Sequence, residues 1–171
     1  MSHEDDCRVG HGGSGIWVIG TTQTASAGSG WVNLPRSGTG FKTHSSADRQ
    51  WGQARLVNGL MNMGRGWTTY AHRGRTLNYG DMSKYGGGYF PPHQTHRDGR
   101  DCDMSMINWA GDAQPGLTRF MGGYSHNNTG QLVWYMYHMS GNSIRVIYFN
   151  DTSLGTTYCT GHDNHLHYGI W

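Results

Sequence analysis

Residues able to hold a metal or move a proton fall in two blocks of this sequence. "PPHQTHRDGRDCDM", residues 91–104, holds two histidines, three aspartates, two arginines and a cysteine. "GHDNHLHYG", residues 161–169, adds three histidines. Alone, the first reads as a charged turn and the second as a polar surface strand. In the second block His165 and His167 are two apart, and in a strand such residues share a face, so both imidazoles project together. His162, across an expected turn, can approach the same place. In the first block a turn at Gly99 brings the His96 imidazole and the Asp103 carboxylate together. A calcium loop fits poorly, because Asp98, Asp101 and Asp103 alternate only loosely and no terminal Glu follows. Two imidazoles and a carboxylate make three N/O ligands, the set with which a catalytic zinc site keeps one position open. Structural zinc takes four ligands, usually with Cys, and Cys102 would point away from Asp103 on a strand. Together the blocks point to catalytic zinc. Asp101 or Asp163 could orient a histidine. Arg97 and Arg100 could grip a substrate carboxylate through forked hydrogen bonds, or pair with Asp98 and Asp101.

The rest of the chain must position these groups. "IWVIG" reads as an edge strand within an irregular segment, residues 1–30, packed on the domain. In "SSADRQWGQARLVNGLMNMG", Trp51, Ala54, Val57, Leu60 and Met61 recur at helical spacing, and Ser45 with Asp48 resembles a capping box. This predicts a helix over 47–63, stopped at Gly64. "RTLNYGDMS" reads as a strand ending in a turn at Gly80-Asp81, and "KYGGGYFPP" as loop. "CDMSMINW" fits a strand. "GQLVWYMYHMSG" suits a short helix after Asn128 or Thr129, with a strand as the alternative. "SIRVIYFND" is β-branched and aromatic, hence a strand, and "HLHYGIW" alternates into a last one. The expected fold is α+β: a single domain with a small, mainly antiparallel β-sheet, a few helices and long Gly-rich loops.

Composition agrees. Twenty-eight glycines with seven Trp and ten Tyr suggest irregular loops pinned by aromatic packing, and 11 histidines favour metal or acid–base chemistry. A net charge of +2 without a Lys/Arg run argues against nucleic acid, and no apolar run is long enough for membrane insertion. Three cysteines allow at most one internal disulfide, for which Cys7–Cys159 is the open pairing. The N-terminus lacks the apolar core of a secretory signal, so the chain is expected to be processed, phage-released or exported by another route.

"GDMSKYGGGYFPPHQTHRDGRDCDM" followed by "GHDNHLH" resembles the penicillin-insensitive murein endopeptidases. These belong to a group of zinc peptidases that includes lysostaphin, D-Ala-D-Ala carboxypeptidases and the Hedgehog signalling domain. The resemblance spans roughly residues 31–171, including "LPRSGTGF" and "RQWG", and makes that span a zinc metallopeptidase domain. It implies one Zn2+ per chain on His96, Asp103 and His167, with His165 as the catalytic histidine and His93 and His162 as further histidines around the metal. Either His165 or His162 would be the base; spacing does not choose. Asp81, His93, Arg100 and Asp101 are candidates for touching substrate or orienting the ligands. The carboxypeptidase branch carries a Glu shortly before its last zinc histidine, and "HDNHLH" has none, which argues for the endopeptidases. The implied substrate is a peptide cross-link of peptidoglycan, such as the D-alanyl–diaminopimelate bond, cleaved in the cell envelope or periplasm. "KYGGGYFPP" would form a cleft wall, and Tyr85, Tyr89 and Trp109 would line the groove or pack. The alternatives are a carboxypeptidase trimming D-amino-acid stems, a phage lysin or secreted antibacterial effector with the same chemistry, and a non-catalytic wall-binding module.

Overall fold

The computed structural model describes residues 30–171. The expected "IWVIG" strand, the packed N-terminal segment and the Cys7 end of a Cys7–Cys159 bridge lie outside the described residues. In chain order the elements are β1 (Trp31–Asn33), β2 (Ser37–Gly38), β3 (Phe41–Thr43), β4 (Trp51–Gln53), α1 (Ala54–Gly66), β5 (Leu77–Tyr79), β6 (Asp101–Met104), α2 (His126–His138), β7 (Ile144–Tyr148) and β8 (Leu166–Ile170). Strands β1 and β4 form a separate antiparallel pair, and a six-stranded sheet runs β2-β3-β5-β6-β8-β7. Within that sheet β3 and β5 pair in parallel and the other neighbouring strands pair antiparallel. The expected α+β architecture with a mainly antiparallel sheet is what the chain adopts. Among the described residues no helix is long and apolar enough to cross a membrane.

Period-2 alternation divides the central strands. Cys102, Met104, Leu166, Tyr168 and Ile170 join the main core with Leu56, Leu60, Met63, Leu132 and Met136 of the two helices. Their neighbours Asp101, Asp103 and His167 therefore project from the other face. Residues 80–100 connect β5 to β6, 105–125 connect β6 to α2, and 149–165 connect β7 to β8. Cys102 is a free thiol in the core, pointing away from Asp103 as its strand position requires.

The helix expected over 47–63 begins at Ala54 instead. Residues before it have their backbone groups engaged elsewhere: β4 pairs with β1, the Trp51 amide donates to the Ser83 carbonyl, and Met82 donates to that of Arg49. The presumed cap, Ser45, donates its hydroxyl to Asp81 at 2.6 Å, leaving a single 3-10 turn at Ala47–Arg49. Gly64 does not end α1, which runs to Gly66 and passes into a π turn over Trp67–Ala71. The second helix starts at His126, earlier than expected, because buried Ser125 accepts the Asn128 amide as N-cap.

Candidate metal centre and cleft

Strand register brings the two chemical blocks together. Asp103 of β6 lies directly opposite His167 of β8, and Asp101 opposite Gly169. His96 comes from the preceding loop, which turns back at Gly99. That glycine has φ +72°, and a Cβ on it would lie 2.5 Å from the Trp31 ring. Only a residue without a side chain fits this backbone against β1 and β4.

Three atoms converge. His96 Nε2 lies 3.1 Å from His167 Nδ1 and 3.2 Å from Asp103 Oδ1, and His167 Nδ1 is 3.3 Å from that same oxygen. Hydrogen bonds on their far sides fix what these nitrogens offer. His96 Nδ1 donates to the Met82 carbonyl at 2.6 Å and His167 Nε2 donates to Asp101 Oδ1 at 3.0 Å. Both inward nitrogens therefore present lone pairs to a carboxylate oxygen that is itself buried without a hydrogen-bond partner. Three acceptors facing one another in a buried space favour a proton or a cation among them. A tetrahedral ion about 2.0–2.1 Å from each ligand needs donors about 3.3 Å apart, so the residues present fit zinc.

The titration behaviour carries the same signature. Burial opposes a charge on His167, but Asp101 and Asp103 outweigh this and raise its pKa to about 9, so the two carboxylates draw a positive charge, whether a proton or a metal cation, into this space. Burial likewise opposes ionisation of Asp103, yet His96 and His167 hold it well below the usual carboxylate range. Asp101, fully buried, stays ionised below its ordinary value: burial is outweighed by His167 and by Arg145, whose guanidinium donates to Oδ1.

Another trio overlaps this one: His93, His96 and Asp103 offer ligand atoms within 4.8 Å of one another. His93 stands further off, its Nδ1 3.7 Å from Asp103 Oδ2, and its Nε2 donates to Asp81 at 2.8 Å. Asp81 is saturated. Besides His93 it accepts Ser45 and a fork from Arg49 at 2.9 and 2.6 Å, and these donors overcome burial to depress its pKa. The tighter triangle of His96, Asp103 and His167 suits a small ion better; His93 is held beside it.

A cleft of about 210 Å³ opens over Asp103, lined also by His44, Ser45, Asp81, Asn164 and His165. His165 Nδ1 donates to Asn164 at 2.7 Å, leaving Nε2 bare and 3.7 Å from Asp103 Oδ1. Burial lowers the pKa of His165 below that of a free imidazole. His162 sits behind it, ring centroids 4.6 Å apart, donating Nδ1–H to the carbonyls of Cys159 and Thr160. Burial and the neighbouring His165 push its pKa down to about 4.

Other expected participants have different neighbours. Arg100 pairs with Asp98 at 3.6 Å, Asp163 with Arg119 at 2.7 Å, and Arg97 donates to Gln94 and lies over Tyr89. None of these arginines lines the cleft, nor do the exposed Tyr85, Tyr89 and Trp109. Sequence reasoning missed Arg145, Arg49 and His44. An arginine inside the apolar run "SIRVIY" is the signal that could have found the first; Arg49 was hidden by the helical reading of its segment.

No curated protein matches the chain. The family model for penicillin-insensitive murein endopeptidases matches residues 18–119, more than half of it. That match holds His93, His96, Asp101 and Asp103, and ends before the His162–His167 turn that β8 brings beside them. The chain belongs to the penicillin-insensitive murein endopeptidase family.

Proposed function

We propose that this protein is a zinc-dependent endopeptidase that cleaves peptide cross-links of bacterial peptidoglycan, acting in the cell envelope. The observation that carries the reading is the 3.1–3.3 Å triangle of His96 Nε2, His167 Nδ1 and Asp103 Oδ1 in a member of this family. Those three residues would hold the ion. When bound, zinc supplies Lewis acidity, polarising the scissile carbonyl and making water more acidic. Asp101 keeps the His167 lone pair turned inward, and the Met82 carbonyl does so for His96.

His165 Nε2 takes the proton of the attacking water and returns it to the leaving amine. Its place in the cleft wall supports this choice over His162, which does not reach the lining. His162 packs against His165 and Tyr148 and keeps the imidazole beside the cleft. His93, oriented by Asp81, faces the second Asp103 oxygen.

Digestion of purified cross-linked muropeptides tests this. Zinc-loaded protein is expected to convert dimers to monomers, and chelator to abolish the conversion until zinc is restored. Full activity in chelator rejects the zinc chemistry. Exclusive release of terminal D-Ala from dimers rejects the endopeptidase in favour of a carboxypeptidase.

A further inference from the structure

We propose that Arg119 is a positioning residue for His165, acting through Asp163 and Asn164, and resting on the endopeptidase reading for the role of His165. The chain between β7 and β8 is fixed at separate points. The Asn150 side chain accepts the Cys159 amide at 3.0 Å, and the Asn150 amide donates to the His162 carbonyl at 3.0 Å. Leu166 sits opposite Met104 as β8 begins. Between these points Arg119 takes hold of Asp163 twice. Its amide donates to the Asp163 carbonyl at 2.9 Å, and its Nε–H donates to Asp163 Oδ1 at 2.7 Å. Asn164 and His165 lie between that clamp and the strand.

The clamp sets the direction of one imidazole. His165 Nδ1 donates to Asn164 Oδ1 at 2.7 Å, and which ring nitrogen carries the proton follows from the bond the other nitrogen lacks or makes. Asn164 is exposed, so the backbone on either side, more than packing, aims its carboxamide. Arg119 therefore reaches His165 through the Asp163–Asn164 turn and keeps Nε2 as the bare nitrogen of the ring.

Arg119 also ties two parts of the lining together. Ala113 and Leu117 root its segment in the core, and Pro115 and Gly116 line the cleft with Asn164 and His165. The Arg119 and Asp163 side chains are 32% and 41% exposed. An ion pair this open to solvent contributes little to global stability. Its loss is expected to be felt at the turn and not in the fold as a whole.

Nitrogen NMR of zinc-loaded full-length protein with isotope-labelled histidine tests this, the His165 ring signals being assigned by their loss in His165→Ala. The wild type is expected to show His165 protonated on Nδ1. Arg119→Ala and Asn164→Ala are each expected to move these signals toward a mixture of tautomers, with Arg119→Ala lowering Tm by no more than about 4 °C. Arg75→Ala opens another exposed ion pair, with Asp112, outside the cleft lining, and is expected to leave signals and turnover as in the wild type. On cross-linked muropeptides Arg119→Ala is expected to lower kcat about 10- to 100-fold, the cost of misplacing a catalytic group, with KM changed less than about threefold. Adding Asp163→Ala is expected to cost less than about twofold more, because both act through one contact, and Arg119→Lys to recover part of the loss. A wild type protonated on Nε2, His165 signals unmoved by Arg119→Ala, equal movement in Arg75→Ala, or an unchanged kcat in Arg119→Ala overturns the assignment. An inactive wild type removes the endopeptidase reading, while the histidine signals still decide whether Arg119 positions His165.

Discussion

At the scale of single residues, His165 and Asp101 make different claims on the same centre. His165 touches the cleft but is not a member of the tight triangle. His165→Ala is expected to lower kcat by about 10²- to 10⁴-fold, the range for loss of a general base, while zinc content stays at one per chain. A variant that loses its zinc would instead make His165 a ligand. Asp101 acts through His167. Its Oδ1 accepts the Nε2 proton, so Asp101→Asn removes the charge that selects this tautomer. Zinc affinity is expected to fall about 10- to 100-fold, measured by competition with a chromophoric chelator. Unchanged affinity would show that the strand alone suffices to aim the imidazole.

At the scale of elements, the pair β6–β8 builds the centre, and what was legible in the sequence follows from how local each signal is. Alternation within "RDCDM" and "HLHYGI" is a property of neighbouring residues, and it separated Cys102 from Asp103 correctly. The register that sets Asp103 opposite His167 is a long-range pairing; the family resemblance pointed to those two residues together, while spacing alone could not. The helical periodicity of residues 51–61 misled because backbone pairing with β1 and the Met82–Ser83 segment competes with helix over residues 49–53. Arg145 was invisible as a partner because it lies 44 residues from Asp101. Register also explains Gly169, opposite Asp101: a Cβ there would lie 2.8 Å from Asp101 Oδ1 and 2.9 Å from Arg145 Nη2. Gly169→Ala is expected to push this ion pair apart, loosening zinc at least about threefold, a fraction of the loss on removing a ligand's carboxylate partner. A variant binding zinc like the wild type would show that β7 and β8 absorb the methyl group.

At the scale of the whole molecule, stability joins metal binding and acid titration. Zinc that binds only the folded chain stabilises it by about 2.7 kcal/mol at a free concentration 100 times its Kd, so Tm is expected to rise with zinc and fall with chelator. Asp151 isolates a separate contribution. It accepts hydrogen bonds from Tyr124 and His126 at 2.8 Å and from Ser153 at 2.6 Å, tying the start of α2 to the segment after β7. Burial opposes its charge, but these donors outweigh burial and lower its pKa. A carboxylate depressed on folding contributes stability above its unfolded pKa of about 3.9, and loses it as pH falls through the lower folded value. Asp151→Asn is therefore expected to lower Tm at pH 5, with the gap from wild type shrinking as pH falls from about 4 toward 2. Measured in chelator, where no metal contributes, the difference between their melting curves reports Asp151. A gap that stays constant or widens below pH 4 would assign the loss to side-chain shape and not to the ionised carboxylate.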